Sequence, residues 1–145
     1  ALTLLDFETP VFLDAPLARS EEARDFLRFH TGAPLVTRRD AARFVLICDG
    51  ADLPDLSTFA QGEADYPDRS ATLIIAVAHL GDGPLCLEGP GIAGRRTFGA
   101  APLPTDFPAR LAANGRSFPL GVDLVLCAPG AVAALPRSVR LVMER

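Results

Sequence analysis

Lysine is absent from this chain of 145 residues, and all 14 of its basic residues are arginine. That absence removes two chemistries, because a pyridoxal phosphate enzyme needs a lysine amine for its Schiff base and a P-loop needs one against the phosphates. The arginine preference, with abundant Ala, Gly and Pro, reads as the composition of a GC-rich coding sequence. Cysteine and histidine are also sparse, at three and two residues. Cys48, Cys86 and Cys127 lie far apart within apolar runs, no C-x-x-C pair occurs, and neither histidine stands at ligand spacing from a cysteine. No zinc or iron–sulfur pattern is present, so the thiols are expected to be small buried hydrophobes in a reducing compartment. No apolar run approaches the ~20 residues needed to cross a bilayer, and the first residues lack the layout of a signal peptide, which makes the cytoplasm the expected location. A net charge of -4 and a pI near 5.1 disfavour nucleic acid and anionic membranes as partners.

What is present suits a compact core. Apolar residues make up 49% and charged residues 22%, with a mean hydropathy of +0.25. This length predicts one domain, 1–145, burying roughly two-thirds of its unfolded surface. The chain opens abruptly on Ala1-Leu2-Thr3-Leu4-Leu5, an apolar run without a cap, and is expected to start inside a longer protein. A short strand is expected at 11–13. Ser20 then stands as an N-cap with Glu21 and Glu22 behind it, predicting a helix over 21–30 that stops at Gly32. A turn of helix near 40–42 leads into the apolar run 43–48, whose pattern fits a strand covered on both faces. Residues 51–70 read as loop, with one helical turn near 53–59. Apolar stretches on either side of Gly81-Asp82-Gly83-Pro84 predict a hairpin over 71–88. A second helix is expected after Thr105, stopping at Asn114-Gly115, followed by strands at 122–127, 132–135 and 139–143. Strands interleaved with two helices predict an α/β domain with a mixed sheet.

Gly89-Pro90-Gly91-Ile92-Ala93-Gly94 has the G-x-G-x-x-G spacing but the wrong context. The following residues, with Thr97, Gly99, Pro102 and Pro104, cannot open the helix a pyrophosphate needs, so the segment reads as a glycine-rich turn. Arg95 and Arg96 behind it could clamp a phosphate or phosphonate. His30 falls at the end of the first helix, where a structural or capping role competes with acid–base work. His79 reads as a half-buried strand residue. No G-x-S-x-G or S-x-x-K occurs, and the five serines sit beside no recognisable base. Asp123 is distinctive in opening a strand after Phe118-Pro119-Leu120-Gly121.

Four ordered segments add a resemblance. Arg28-Phe29-His30-Thr31-Gly32-Ala33-Pro34-Leu35-Val36, then Gly89-Pro90-Gly91-Ile92, then Phe118-Pro119-Leu120-Gly121-Val122-Asp123-Leu124, and finally Leu135-Pro136-Arg137-Ser138 together resemble the PhnH family. This family is the H subunit of the carbon–phosphorus lyase system for phosphonate use. Ser138 departs from the threonine more usual there, and a further N-terminal segment of the family has no counterpart in this chain. The resemblance implies a three-layer α/β/α fold similar to pyridoxal phosphate-dependent transferases, with no cofactor. It also implies a homodimer that joins the G, I and J subunits and contacts J. The system moves an alkylphosphonate onto the ribose C1 of ATP, displacing adenine. The family carries no established catalytic residue, so none is assigned; a ligand site inside the matching segments would use Arg28, His30, Asp123 and Arg137. An accessory subunit of that complex is therefore the leading reading. The alternative is a freestanding binding protein whose Arg95, Arg96 and Arg137 gather a phosphonate or nucleotide phosphate. A metal or redox protein would require the three cysteines to meet in space.

Overall fold

The computed structural model describes residues 1–142. The apolar runs noted above supply the strands of a six-stranded sheet. Strand β1 (Val11–Leu13) is followed by helices α1 (Ala15–Arg19) and α2 (Glu21–Thr31), then by β2 (Leu35–Val36), β3 (Phe44–Ile47) and β4 (Thr72–Ala76). After β5 (His79–Glu88), β6 (Arg96–Ala101) and helix α3 (Phe107–Arg116) come β7 (Asp123–Ala128), β8 (Ala131–Leu135) and β9 (Arg140–Val142). The main sheet has the order β2-β1-β3-β4-β7-β8, parallel except for the final β7–β8 hairpin. Strands β6-β5-β9 form a separate antiparallel sheet. The result is an α/β fold with a mixed sheet.

Side chains one residue apart on a strand point to opposite faces, and this alternation divides the core in two. On β3, Val45 and Ile47 enter the larger cluster with Leu73, Ile75, Leu124 and Leu126, whereas Leu46 joins Val11, Leu13 and Leu27 in the smaller one. Helix α2 supplies Leu27 to the smaller core, and α3 supplies Phe107 and Leu111 to the larger. The second sheet also covers the larger core through Leu87 and Phe98. Parallel strands buried on both faces read as continuous apolar runs, as 43–48 does.

Local chemistry fixes the helix ends. Ser20 Oγ accepts from the Ala23 N–H at 3.1 Å, and Gly32 closes α2 in the left-handed region at φ +67°. The 3-10 turn Arg39–Ala41 and the β7–β8 turn at Pro129-Gly130 also follow the sequence reading. Residues 48–71 hold three 3-10 turns, Gly50–Asp52, Leu56–Thr58 and Pro67–Arg69, pinned by the buried Leu53, Leu56 and Phe59.

Several expectations are corrected. The segment 71–88 is not a hairpin: β4 lies in the parallel sheet, and the Gly81-Asp82-Gly83-Pro84 stretch runs inside β5 as a bulge against β6. Glycine is required there by close approach rather than by a turn, since a Cβ on Gly83 would collide with the Gly99 backbone. Residues 96–101, for which the sequence reading named no element, form β6 because their backbone pairs with β5. His79 is exposed rather than half-buried because it sits at a strand end, and of the thiols expected to be buried, Cys48 at the end of β3 is exposed and Cys86 and Cys127 are half-buried. Helix α1 and strand β2 went unread, being five and two residues long. Helix α3 passes through Asn114-Gly115 to Arg116. The last expected strand is present as β9, and Met143 lies outside the described residues.

Asn114 continues the helix because its side chain is used elsewhere. Its Nδ2 donates to the Val122 carbonyl and its Oδ1 accepts from the Val122 N–H, both at 2.9 Å and both buried. This amide joins α3 to the approach of β7. Asn114→Ala would leave both Val122 backbone groups buried without partners, and we expect a loss of about 3 kcal/mol in urea unfolding. A loss below about 0.5 kcal/mol would show that the amide does not join the two elements.

Candidate functional site

In an open parallel sheet, ligands collect beyond the carboxyl ends of the strands, at the point where strand order reverses. Here β1 lies between β2 and β3, so the chain goes one way from β1 and returns across it, placing that point between β1 and β3. A cleft of about 580 Å³ lies there, lined by Leu13 and Asp14 at the end of β1, Val36 and Thr37 at the end of β2, and Ile47 at the end of β3. Helix α2 contributes Arg24 and Arg28, which fall one turn apart on the same helix face, and the 3-10 turn contributes Arg39.

Asp14 forms the floor of this arrangement. Its Oδ1 accepts from the Leu17 N–H at 3.1 Å, capping α1, and its Oδ2 accepts from the Cys48 N–H at 2.8 Å, tying the end of β3 to the end of β1. Desolvation of the sulfur, together with the hydrogen bond and charge of Asp14, pushes the Cys48 thiol above the usual thiol range. Arg39 lies over the Phe12 and Phe59 rings, 5.8 and 5.9 Å from their centroids. Among the described residues, Arg24 Nε is buried without a hydrogen-bond partner. Arg28 is exposed on the outer part of the cleft.

The four residues singled out from the sequence do not converge. Arg28 lines the carboxyl-end cleft, while His30, two residues on, packs against Phe26 and Phe29 with ring centroids 4.4 and 5.0 Å away on an exposed helix face. Asp123 and Arg137 meet each other at the opposite, amino end of the parallel strands. Arg137 Nη2 donates to Asp123 Oδ2 at 2.7 Å, Nε and the Arg137 backbone N–H donate to Oδ1, and Nη1 donates to the Pro67 carbonyl. With side-chain exposures of 16% and 29%, this pair braces β7, the end of β8 and the 67–69 turn. Arg95 donates to Glu88 at 2.8 Å, and Arg96 lines a separate cleft of about 570 Å³ beneath β8. Arg95, Arg96 and Arg137 therefore sit in three different surroundings. Among the described residues, no group of three His, Cys, Asp or Glu side chains could hold a metal ion.

Sequence reasoning missed Arg24, Arg39 and Asp14. The i, i+4 spacing of Arg24 and Arg28 was a readable signal for a shared helix face. Nothing in the sequence shows that β1 and β3 are neighbours. Three of the four ordered segments do meet: Gly89, Pro90, Phe118 and Ser138 line one small cavity of about 300 Å³, and the Phe118–Pro119 peptide beside it is cis.

Two expectations follow. Arg137→Met should cost about 2 kcal/mol, less than the ~3–5 kcal/mol of a fully buried pair because both partners keep some water. Asp123→Asn, which keeps an acceptor for the Arg137 N–H groups, should cost less; urea unfolding of both variants checks the order. Asp14→Asn should make Cys48 alkylate severalfold faster near neutral pH, since losing the adjacent charge lowers the thiol pKa. Peptide-resolved mass spectrometry follows that thiol separately from Cys86 and Cys127.

Comparison with known proteins adds family information. The family described as "Bacterial phosphonate metabolism protein (PhnH)" matches residues 1–142. The chain is 43% identical over 145 residues to the alpha-D-ribose 1-methylphosphonate 5-triphosphate synthase subunit PhnH of Rhizobium meliloti (strain 1021), covering 99% of this chain and 72% of that protein. It is 35% identical over 103 residues to HtxG of Stutzerimonas stutzeri, named as a C-P lyase subunit, covering 70% of this chain and 52% of the relative.

Proposed function

The chain belongs to the PhnH family of bacterial phosphonate metabolism proteins, and from that premise we propose that it is an accessory subunit of a carbon–phosphorus lyase complex. The observation that carries this reading is the family match across 1–142, supported by 43% identity to a protein named as a subunit of ribose 1-methylphosphonate 5-triphosphate synthase. In this role the subunit supports transfer of an alkylphosphonate onto the ribose C1 of ATP with release of adenine. Catalytic groups come from other subunits. The partners are a second copy of the chain and the G, I and J subunits, with direct contact to J, in the cytoplasm. No described helix is long and apolar enough to cross a membrane. The proposal extends to the fold, as one domain in three layers related to pyridoxal phosphate-dependent transferases without the cofactor.

The polar residues of the matching segments divide by position. Arg28 on the cleft is proposed to face a ligand, and His30 on the exposed face of α2 a ligand or partner, each separately. Asp123 and Arg137 are proposed to hold the opposite end of the sheet, and any ligand reaching them would have to displace bonds they make to each other.

Co-expression of the full-length tagged protein with the G, I and J subunits of its host tests the role. Native mass of the purified material is expected to show all four in a fixed ratio. Recovery of a dimer of this chain alone would overturn the subunit reading.

A further inference from the structure

The carboxyl-end cleft has a chemistry of its own. Arg24, Arg28 and Arg39 line it, and among the described residues none of the three has a carboxylate within ion-pair distance. Two acids share the lining, Asp14 and Asp52. Both Asp14 oxygens are already engaged by backbone N–H groups, so the cleft presents three cations against two carboxylates. Arg24 Nε is a buried donor with no acceptor among the described residues. Buried charged donors are rarely left so, and this one is open to an oxygen from outside the described residues.

Guanidinium groups match the spacing of oxygens on phosphorus and bind them in pairs. Arg39, held over the Phe12 ring, keeps its N–H groups available. At about 580 Å³ the cleft has the size of an organic ligand's site rather than of a single inorganic ion. Phe12 and Pro54 give it an apolar wall. Its place at the β1/β3 reversal is where an open parallel sheet exposes strand ends and helix termini together. We infer that this cleft binds an organic phosphorus oxyanion, a phosphate ester or a phosphonate, with its oxygens on Arg24, Arg28 and Arg39 and its organic part against Phe12. The inference stands apart from membership of any complex, because it concerns the isolated chain.

Titration calorimetry on the full-length protein at fixed ionic strength tests it, with ATP, methylphosphonate and inorganic pyrophosphate as separate probes. Saturable binding of ATP or methylphosphonate is expected, and which of the two binds identifies the source of the phosphorus group. Arg24→Met and Arg28→Met should each weaken that binding at least tenfold. Arg38→Met should leave it unchanged, because Arg38 is paired with Asp40 outside the cleft. Arg28 is exposed, so its variant remains informative if Arg24→Met fails to fold. Absence of binding by both organic probes, binding of pyrophosphate alone, or binding indifferent to Arg28→Met would overturn the inference.

Discussion

Strands β2, β1, β3 and β4 send side chains into apolar clusters on both faces of the sheet, while β7 joins the larger cluster alone, and the remaining architecture answers that requirement. Alternate residues of β3 feed two separate cores, so cover is needed on each side of the sheet. Helices α1 and α2 meet the need on one side, and α3 with the small antiparallel sheet meets it on the other. Burying both faces of β1 and β3 leaves the two ends of these strands for polar work, and the ends of the sheet differ. The amino end is closed by the Asp123–Arg137 pair, whose donors and acceptors are consumed within the chain. The carboxyl end is open, and among the described residues its arginines have no carboxylate within ion-pair distance.

That contrast explains how much was legible in the sequence. Elements set by local chemistry were readable: Ser20 capping α2, Gly32 ending it, the 3-10 turn at Arg39–Ala41 and the two-residue turn before β8. Elements set by distant partners were not. Strand β6 exists because β5 pairs with it, and β2 is held by β1 alone. The glycines of β5 were taken for a turn because a turn and a close backbone contact require the same residue, and only Gly99 across the ladder separates the two cases. Asn114-Gly115 likewise has the composition of a helix stop, yet the asparagine is bonded to Val122 within a continuing helix.

The candidate site shows the same limit. Asp123 and Arg137 were legible as polar residues in telling places, but their mutual pairing across 14 residues was not. The arginines of the cleft required the strand order, since Arg24 and Arg28 become neighbours of Arg39 only when β2 and β3 flank β1. Asp14 then has three tasks at once: it caps α1, anchors Cys48 and adds to the desolvation that raises the sulfur's pKa.

The two edges of the main sheet are unequal. Strand β2 is two residues long and follows Pro34, which has no N–H to offer a neighbour, so growth of the sheet stops there. Strand β8 at the far edge is five residues long, carries the exposed Val132, and pairs only with β7 among the described strands. Edge-to-edge aggregation and strand exchange through this sheet therefore have a single direction in which to propagate, and Val132 marks the side on which a solubilising charge would act.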